Sequence, residues 1–181
     1  LITQEHQNLS LTETGRSYAL RVIRVHRIWE RYLADETSVA QADWHNEADW
    51  LEHEVSIEAT EMLAAQMGNP VYDPHGDPIP SASGDLPENK GIPLSQLRVG
   101  DLGRIIHIED EPKSIYEQLI VEGLYPGMTL YVTDVAENRI TFATDSDQCV
   151  LTPLFASHIS IERISGTGLE SGKQQLLSTL S

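Results

Sequence analysis

The 181-residue chain has a single cysteine, Cys149, so no intramolecular disulfide can staple it and no cysteine-rich metal cluster can form. That usage fits a reducing compartment. No apolar run approaches the roughly 20 residues needed to span a bilayer, and the start carries no signal-peptide pattern, so a cytoplasmic protein without a membrane segment is expected. Basic residues are scarce: 12 Lys and Arg stand against 28 Asp and Glu, a formal net charge of −16. Direct nucleic-acid binding by this chain is therefore disfavoured, because phosphate contact needs clustered cations. A cation is the better-matched partner. There is no nucleophile motif, no phosphate loop and no base clearly separate from ligand-type side chains, which argues against an enzyme, hydrolytic two-metal centres included.

What the chain does have is a concentration of ligand atoms on one short stretch. Read as a helix from Ala42 to Val55, it places His45, Asp49, Glu52 and His53 within an arc of about 100°. Trp44, Ala48, Leu51 and Val55 form the apolar arc beside it. Two imidazoles and two carboxylates so close are hard to desolvate unless water or a divalent cation lies between them. A metal is the economical explanation.

Before this stretch, Thr12 offers an N-cap for a long helix predicted over Glu13 to Leu33. Tyr18, Val22, Val25, Ile28, Trp29, Tyr32 and Leu33 make its buried side. His26 and Glu30 stand at i,i+4 on one edge, a spacing that serves a surface ion pair as well as ligation. A short connection lets the two helices pair antiparallel, which would gather His26, Glu30 and His45. Arg16, Arg24, Arg27 and Arg31 line the next edge, either as a solvated face or, with sequence not present here, as phosphate contacts. Ser56 caps a third predicted helix through Met67, closed by Gly68. Met62 and Met67 on that helix, with the isolated Trp50, suit a core or a self-complementary dimer patch.

The predicted organisation is α+β. An all-α domain at 12–68 is followed by a Pro-, Gly- and Asp-rich linker at 69–91, then a small β-barrel at 92–164 and a disordered tail at 165–181. The barrel rests on short β-type runs at 103–108, 129–134, 139–143, 149–152 and 158–163, with one helix at 114–122. The chain begins at Leu rather than Met, in what reads as a strand, and is expected to be a piece of a longer protein.

Several motifs together carry a family resemblance. They are Thr12-Glu-Thr-Gly15, the run VIRVHRIWERYL from Val22, H-x-E-A-x-W-L-E-H from His45 to His53, Gly68-Asn-Pro70, and D-P-H-G-D-P-I-P from Asp73 to Pro80. They resemble the metal-binding and dimerisation domain of the diphtheria toxin repressor family of iron- and manganese-dependent transcriptional repressors. Gly100-Asp-Leu-Gly103 and Gly123-Leu-Tyr-Pro-Gly-Met128 resemble the Src-homology-3-like barrel of ferrous iron transport protein A, which many of those regulators carry.

The resemblance implies a homodimer with two neighbouring divalent sites. His26, Glu30 and His45 would form the ancillary one, and Asp49, Glu52 and His53 the primary one. Asp73 stands where some manganese-type relatives place a further ligand, while His75 reads as a linker histidine making backbone contacts. Glu109, Asp110 and Glu111 are candidates for barrel oxygens lent to the ancillary site. Asp49 replaces the cysteine of iron-type members, so hard oxygen favours Mn²⁺ or Fe²⁺, with Zn²⁺, Co²⁺ or Ni²⁺ as ions accepted in vitro.

The family's N-terminal winged helix-turn-helix is absent, residues 1–11 being a remnant of its wing, so a DNA operator would be read only through missing sequence. The expected function is the metal-sensing and dimerisation part of a repressor of metal uptake. The alternative is a cytosolic sensor domain fused to a metal-ion permease.

Overall fold

In a computed structural model the described residues are 1–5, 8–88, 91–145 and 147–164, and the tail read as disordered lies outside them. The chain divides into two compact units, Leu1–Asn89 and Lys90–Ser181. Each has its own apolar core. Among the described residues no helix is long and apolar enough to cross a membrane.

The first unit opens with an exposed antiparallel pair, β1 (Ile2–Glu5) and β2 (Asn8–Leu11). The Thr12 hydroxyl then accepts the Gly15 N–H at 3.0 Å, which satisfies one of the free donors at the start of α1 (Glu13–Glu36). This helix outruns its predicted end at Leu33 by about a turn, and the Thr37 hydroxyl closes it by donating to the Leu33 carbonyl at 2.6 Å. After a 3-10 turn at Gln41–Asp43 comes α2 (Trp44–Glu54), slightly shorter than predicted, packed against α1. Ser56 caps α3 (Ile57–Gln66) by accepting from the Ala59 N–H, and positive φ angles at Gly68 and Asn69 end it. Ile28, Ala64 and Ile79 form the buried centre, with Leu63 and Met67 packed on it. Met62 and Trp50 remain largely exposed.

The stretch predicted as a linker is, as far as Pro80, part of this unit. Two members of the arginine edge hold it there. Arg24 is bidentate to Glu61 on α3, at 2.7 and 2.8 Å, and donates a third bond to the Pro80 carbonyl at 2.8 Å. Arg27 donates to the Pro78 carbonyl at 2.6 Å and pairs with Asp77 at 3.3 Å. These two arginines are therefore neither a solvated face nor free for phosphate. They supply the donors that a Pro-rich strap, with few N–H groups of its own, needs in order to bury its carbonyls.

The second unit is one antiparallel sheet ordered β3-β8-β4-β5-β6-β7. Its strands are β3 (Ile92–Pro93), β4 (Leu102–Ile108), β5 (Thr129–Ala136), β6 (Arg139–Ala143), β7 (Gln148–Leu151) and β8 (Ile159–Arg163). α4 (Lys113–Val121) follows β4, and α5 (Pro153–Ser157) connects β7 to β8. β3 and α5 are additions to the predicted elements: the first is only two residues long and the second is a single turn, too short for periodicity to reveal. α5 touches β6, β7 and β8 and the 3-10 turn at Leu94–Gln96, so residues from both ends of the sheet join one core. Ile105, Leu119, Leu130, Phe142 and Ile159 are fully buried in it, each contributing about 1.5–3 kcal/mol of burial free energy.

At Gly103 β4 has no room for a side chain against β8. A β-carbon there would collide with Ile161 Cγ2 and lie 3.2 Å from the Glu162 carbonyl oxygen. Gly103→Ala is expected to destabilise the second unit by about 1–3 kcal/mol through overpacking. Chemical denaturation followed by a barrel-specific probe checks this, and unchanged stability would show that β8 yields without cost.

Candidate metal centre

The site grows from two i,i+4 pairs. His26 and Glu30 lie one turn apart on α1, and His45 and Asp49 one turn apart on α2, with Glu52 a turn further on. Ala48, fully buried between them in sequence, is small enough to let α2 settle closely on α1. His26 Nε2 is 3.0 Å from Glu30, while its Nδ1 is 3.0 Å from Glu52 and 3.3 Å from Asp49. His45 Nδ1 stands 3.3 Å from Glu30 and its Nε2 3.9 Å from Asp49. The His26 and His45 rings meet edge to face with centroids 4.8 Å apart. One donor atom each from His26, His45 and Asp49 lies within 4.8 Å of the others.

Charge balance explains how these groups share a half-buried space. Burial pushes the Glu30 carboxyl upward, but hydrogen bonds from His26 and His45 and the nearby imidazole charge overcome it and hold it at about 2. Burial pulls His26 down, and the hydrogen bond and charge of Glu30, with that of Glu52, leave it raised above its ordinary value. Both nitrogens of His26 face carboxylates, which suits an imidazolium. A protonated His26 thus supplies, within the cluster, the positive charge that a cation would supply.

The strap adds two residues. Asp73 Oδ1 accepts the N–H groups of His75 and Asp77 at 2.9 and 2.8 Å, an Asx turn continued by Gly76 at φ +95°. The turn buries the His75 ring, whose Nε2 is 3.7 Å from Glu30 and which meets the Trp44 ring in an edge-type contact with centroids 6.0 Å apart. His75 is therefore not a linker histidine with backbone contacts alone, as the sequence reading had it. The signal was present in Asp73-Pro-His75-Gly76, where the Asx turn turns the histidine inward.

Within the first unit the predicted residues do not all converge. His26, Glu30, His45, Asp49 and Glu52 do. His53 is 78% exposed and touches only the edge of the group, 3.6 Å from Glu52. Asp73 is buried, with Arg27 Nε at 3.6 Å, and is engaged in shaping its own turn. Glu109, Asp110 and Glu111 belong to the second unit, between β4 and α4.

Two imidazoles and three carboxylates in one half-buried group form a donor set of the kind that binds divalent first-row metals, with more oxygen than nitrogen and no sulfur. The residues present fit such an ion.

Comparison with known proteins agrees. Residues 12–81 match the iron-dependent repressor metal-binding and dimerisation domain, and residues 92–163 match the FeoA domain. A solved manganese-dependent transcriptional repressor in complex with manganese superposes with a TM-score of 0.83 at 32% identity, covering 91% of this chain and 78% of that one. This chain belongs to the diphtheria toxin repressor family of iron- and manganese-dependent regulators. Among other members, the iron-dependent repressor IdeR of Mycobacterium bovis is 39% identical over 74 residues, 41% of this chain and 32% of that protein. A probable metal transport system membrane protein of Chlamydia trachomatis is 37% identical over 76 residues, 42% of this chain and 17% of that protein. The chain thus matches a third or less of the length of these two curated relatives.

For this repressor-family chain the buried Asp73 generates a pH test. Burial, then the charges of Glu30 and Asp77, raise its carboxyl from 3.8 to about 8, outweighing its backbone hydrogen bond and Arg27, which is shared with Asp77. An acid whose pKa rises on folding contributes stability that is fully present below pH 3.8 and is lost as pH climbs through about 8. Asp73→Asn keeps the accepting oxygen and removes the ionisation. In chelator-treated protein it is expected to flatten the decline in stability between pH 5 and pH 8, with a gain of about 1–2 kcal/mol at the upper end. Urea denaturation at both pH values checks this, and parallel losses in both proteins would contradict it.

Proposed function

We propose that this chain is the metal-sensing and dimerisation part of a Mn²⁺- or Fe²⁺-dependent transcriptional repressor of metal uptake, acting in the cytoplasm as a homodimer and not as an enzyme. The observation that carries the reading is the convergence of His26, His45 and Asp49 donors from two packed helices, with Glu30 and Glu52 beside them. His26, Glu30, His45, Asp49 and Glu52 are the ligands proposed. His75 and Asp73 are added from the strap, His53 from the end of α2, and Glu109, Asp110 and Glu111 remain the proposed oxygen donors of the second unit. The bound ion supplies positive charge that neutralises the carboxylates. Asp49 and Glu52, offering oxygen, favour Mn²⁺ or Fe²⁺ over softer ions.

The residues then act as follows. His26 gives up its proton, which makes uptake tighter as pH rises. Glu30 remains ionised and keeps α1, α2 and the strap in contact. Asp49 and Glu52 fix α2 against α1, and with it the dimer geometry in which reader domains would meet two DNA half-sites. Trp50 and Met62, exposed at 61% and 66%, are the apolar surface proposed for self-association.

A second reading, a sensor domain attached to a metal-ion permease, is favoured by the likeness to the chlamydial membrane protein. That likeness spans 42% of the chain, whereas the likeness to the manganese-dependent repressor spans 91% and so reaches both units. The regulator is therefore preferred.

Calorimetric titration of the chelator-treated chain with Mn²⁺, and anaerobically with Fe²⁺, tests the sensor site. Asp49→Ala/Glu52→Ala is expected to lose at least one equivalent or weaken binding by about a hundredfold, since both carboxylates flank His26. Full retention of binding in that variant would overturn the assignment.

A further inference from the structure

On the reading of the helical group as a metal centre with His75 among its donors, we propose that Arg27 is the positioning residue of that centre. Its side chain carries only N–H donors and offers a cation nothing. It acts by holding the tip of the strap so that His75 stays seated against Glu30.

Residues 71–80 fold back on themselves. The Ile79 N–H donates to the Val71 carbonyl at 2.8 Å, Tyr72 bridges to Pro78, and the Asp73 N–H donates to the Asp77 carbonyl at 2.9 Å. Pro74, His75 and Gly76 are therefore the tip, where Asp73 Oδ1 accepts the N–H groups of His75 and Asp77. These bonds shape the loop without tying it to α1. Ile79 anchors the returning arm in the apolar centre with Ile28, but it lies beyond the tip.

Arg27 reaches the residues on either side of His75. Each guanidinium nitrogen meets a different group of the strap. Nη1 donates to the Pro78 carbonyl at 2.6 Å, Nη2 is 3.3 Å from Asp77 Oδ1, and Nε is 3.6 Å from Asp73 Oδ2. Asp73 and Asp77 stand two residues before and two after His75, so the tip is fixed relative to α1, the helix that carries His26 and Glu30. The ring so placed is 2% exposed, with Nε2 3.7 Å from Glu30. Arg24 holds the strap further along, at the Pro80 carbonyl. A lysine at position 27, with one nitrogen on a flexible stem, could not span the three partners.

Charge and position make opposite demands on this side chain. By charge alone, a guanidinium near a cation site opposes uptake, and its loss would tighten binding. By position, its loss frees the tip, withdraws an imidazole and weakens binding, most for ions that favour nitrogen. The sign of the change separates the two roles.

The test uses the untagged, chelator-treated 181-residue chain. Hydrogen–deuterium exchange of the Asp73, His75, Gly76, Asp77 and Ile79 N–H groups, all bonded within the loop, reports the tip without any metal. Arg27→Met is expected to speed it about tenfold and to leave the barrel peptides unchanged. Calorimetric titration with Ni²⁺ of wild type, Arg27→Met, His75→Ala and the double variant completes a cycle. Each single variant is expected to weaken uptake about tenfold or more, and the double variant no further than His75→Ala alone. Arg27→Lys keeps the charge, is expected to fall between wild type and Arg27→Met, and carries the same cycle should Arg27→Met not fold. Unchanged loop exchange, tighter or unchanged Ni²⁺ uptake on losing Arg27, or additive losses in the double variant would overturn the proposal and leave the sensor reading standing. No uptake by the wild type would instead remove the sensor reading, and the proposal with it.

Discussion

A carboxylate that is 2% exposed requires compensation, and Glu30 obtains it from three imidazoles carried by three separate segments. His26 reaches it from its own helix, His45 from α2 and His75 from the strap, at 3.0, 3.3 and 3.7 Å. The packing of the helical unit depends on this group as much as on its small apolar centre of Ile28, Ala64 and Ile79. Removing the carboxylate would leave imidazoles facing one another in a space sized for opposite charges. The same feature links stability to chemistry, because any cation entering the group alters the contacts that join α1, α2 and the strap.

The strap shows how a segment poor in hydrogen-bond donors is made part of a core. Pro78 and Pro80 carry no N–H, yet their carbonyls must be satisfied where they are buried, and Arg27 and Arg24 satisfy them. Each arginine also balances acid, Glu61 for Arg24 and Asp77 for Arg27. In a chain with so few basic residues, two of them are committed to holding one turn. That turn in turn delivers Asp73 and His75 to the side of Glu30.

Much of this was legible beforehand because it follows from helical period and caps. Thr12 and Ser56 marked helix starts, and the spacing of His26 with Glu30 and of His45 with Asp49 and Glu52 described faces that the fold brings together. What escaped the sequence depends on tertiary partners. The inward turn of His75 and the engagement of Arg24 and Arg27 require the strap to be docked, and a Pro- and Gly-rich stretch gives no periodic sign of docking. The bulge in β4 between Ile105 and His107 is likewise invisible to alternation, since an extra residue in a strand looks like ordinary apolar sequence until its partner is known. The two helical pairs could be read because their partners lie a fixed number of residues away.

The central claim is that Glu30 joins the helical segments and that a divalent cation strengthens the joint. Thermal unfolding of the chelator-treated chain with and without saturating Mn²⁺, beside Glu30→Gln, tests it directly. The account predicts that Mn²⁺ at about a hundred times its Kd stabilises the wild-type helical unit by about 2.7 kcal/mol, while the variant unfolds earlier without metal and gains little from it. An equal rise in melting temperature for both proteins would contradict it.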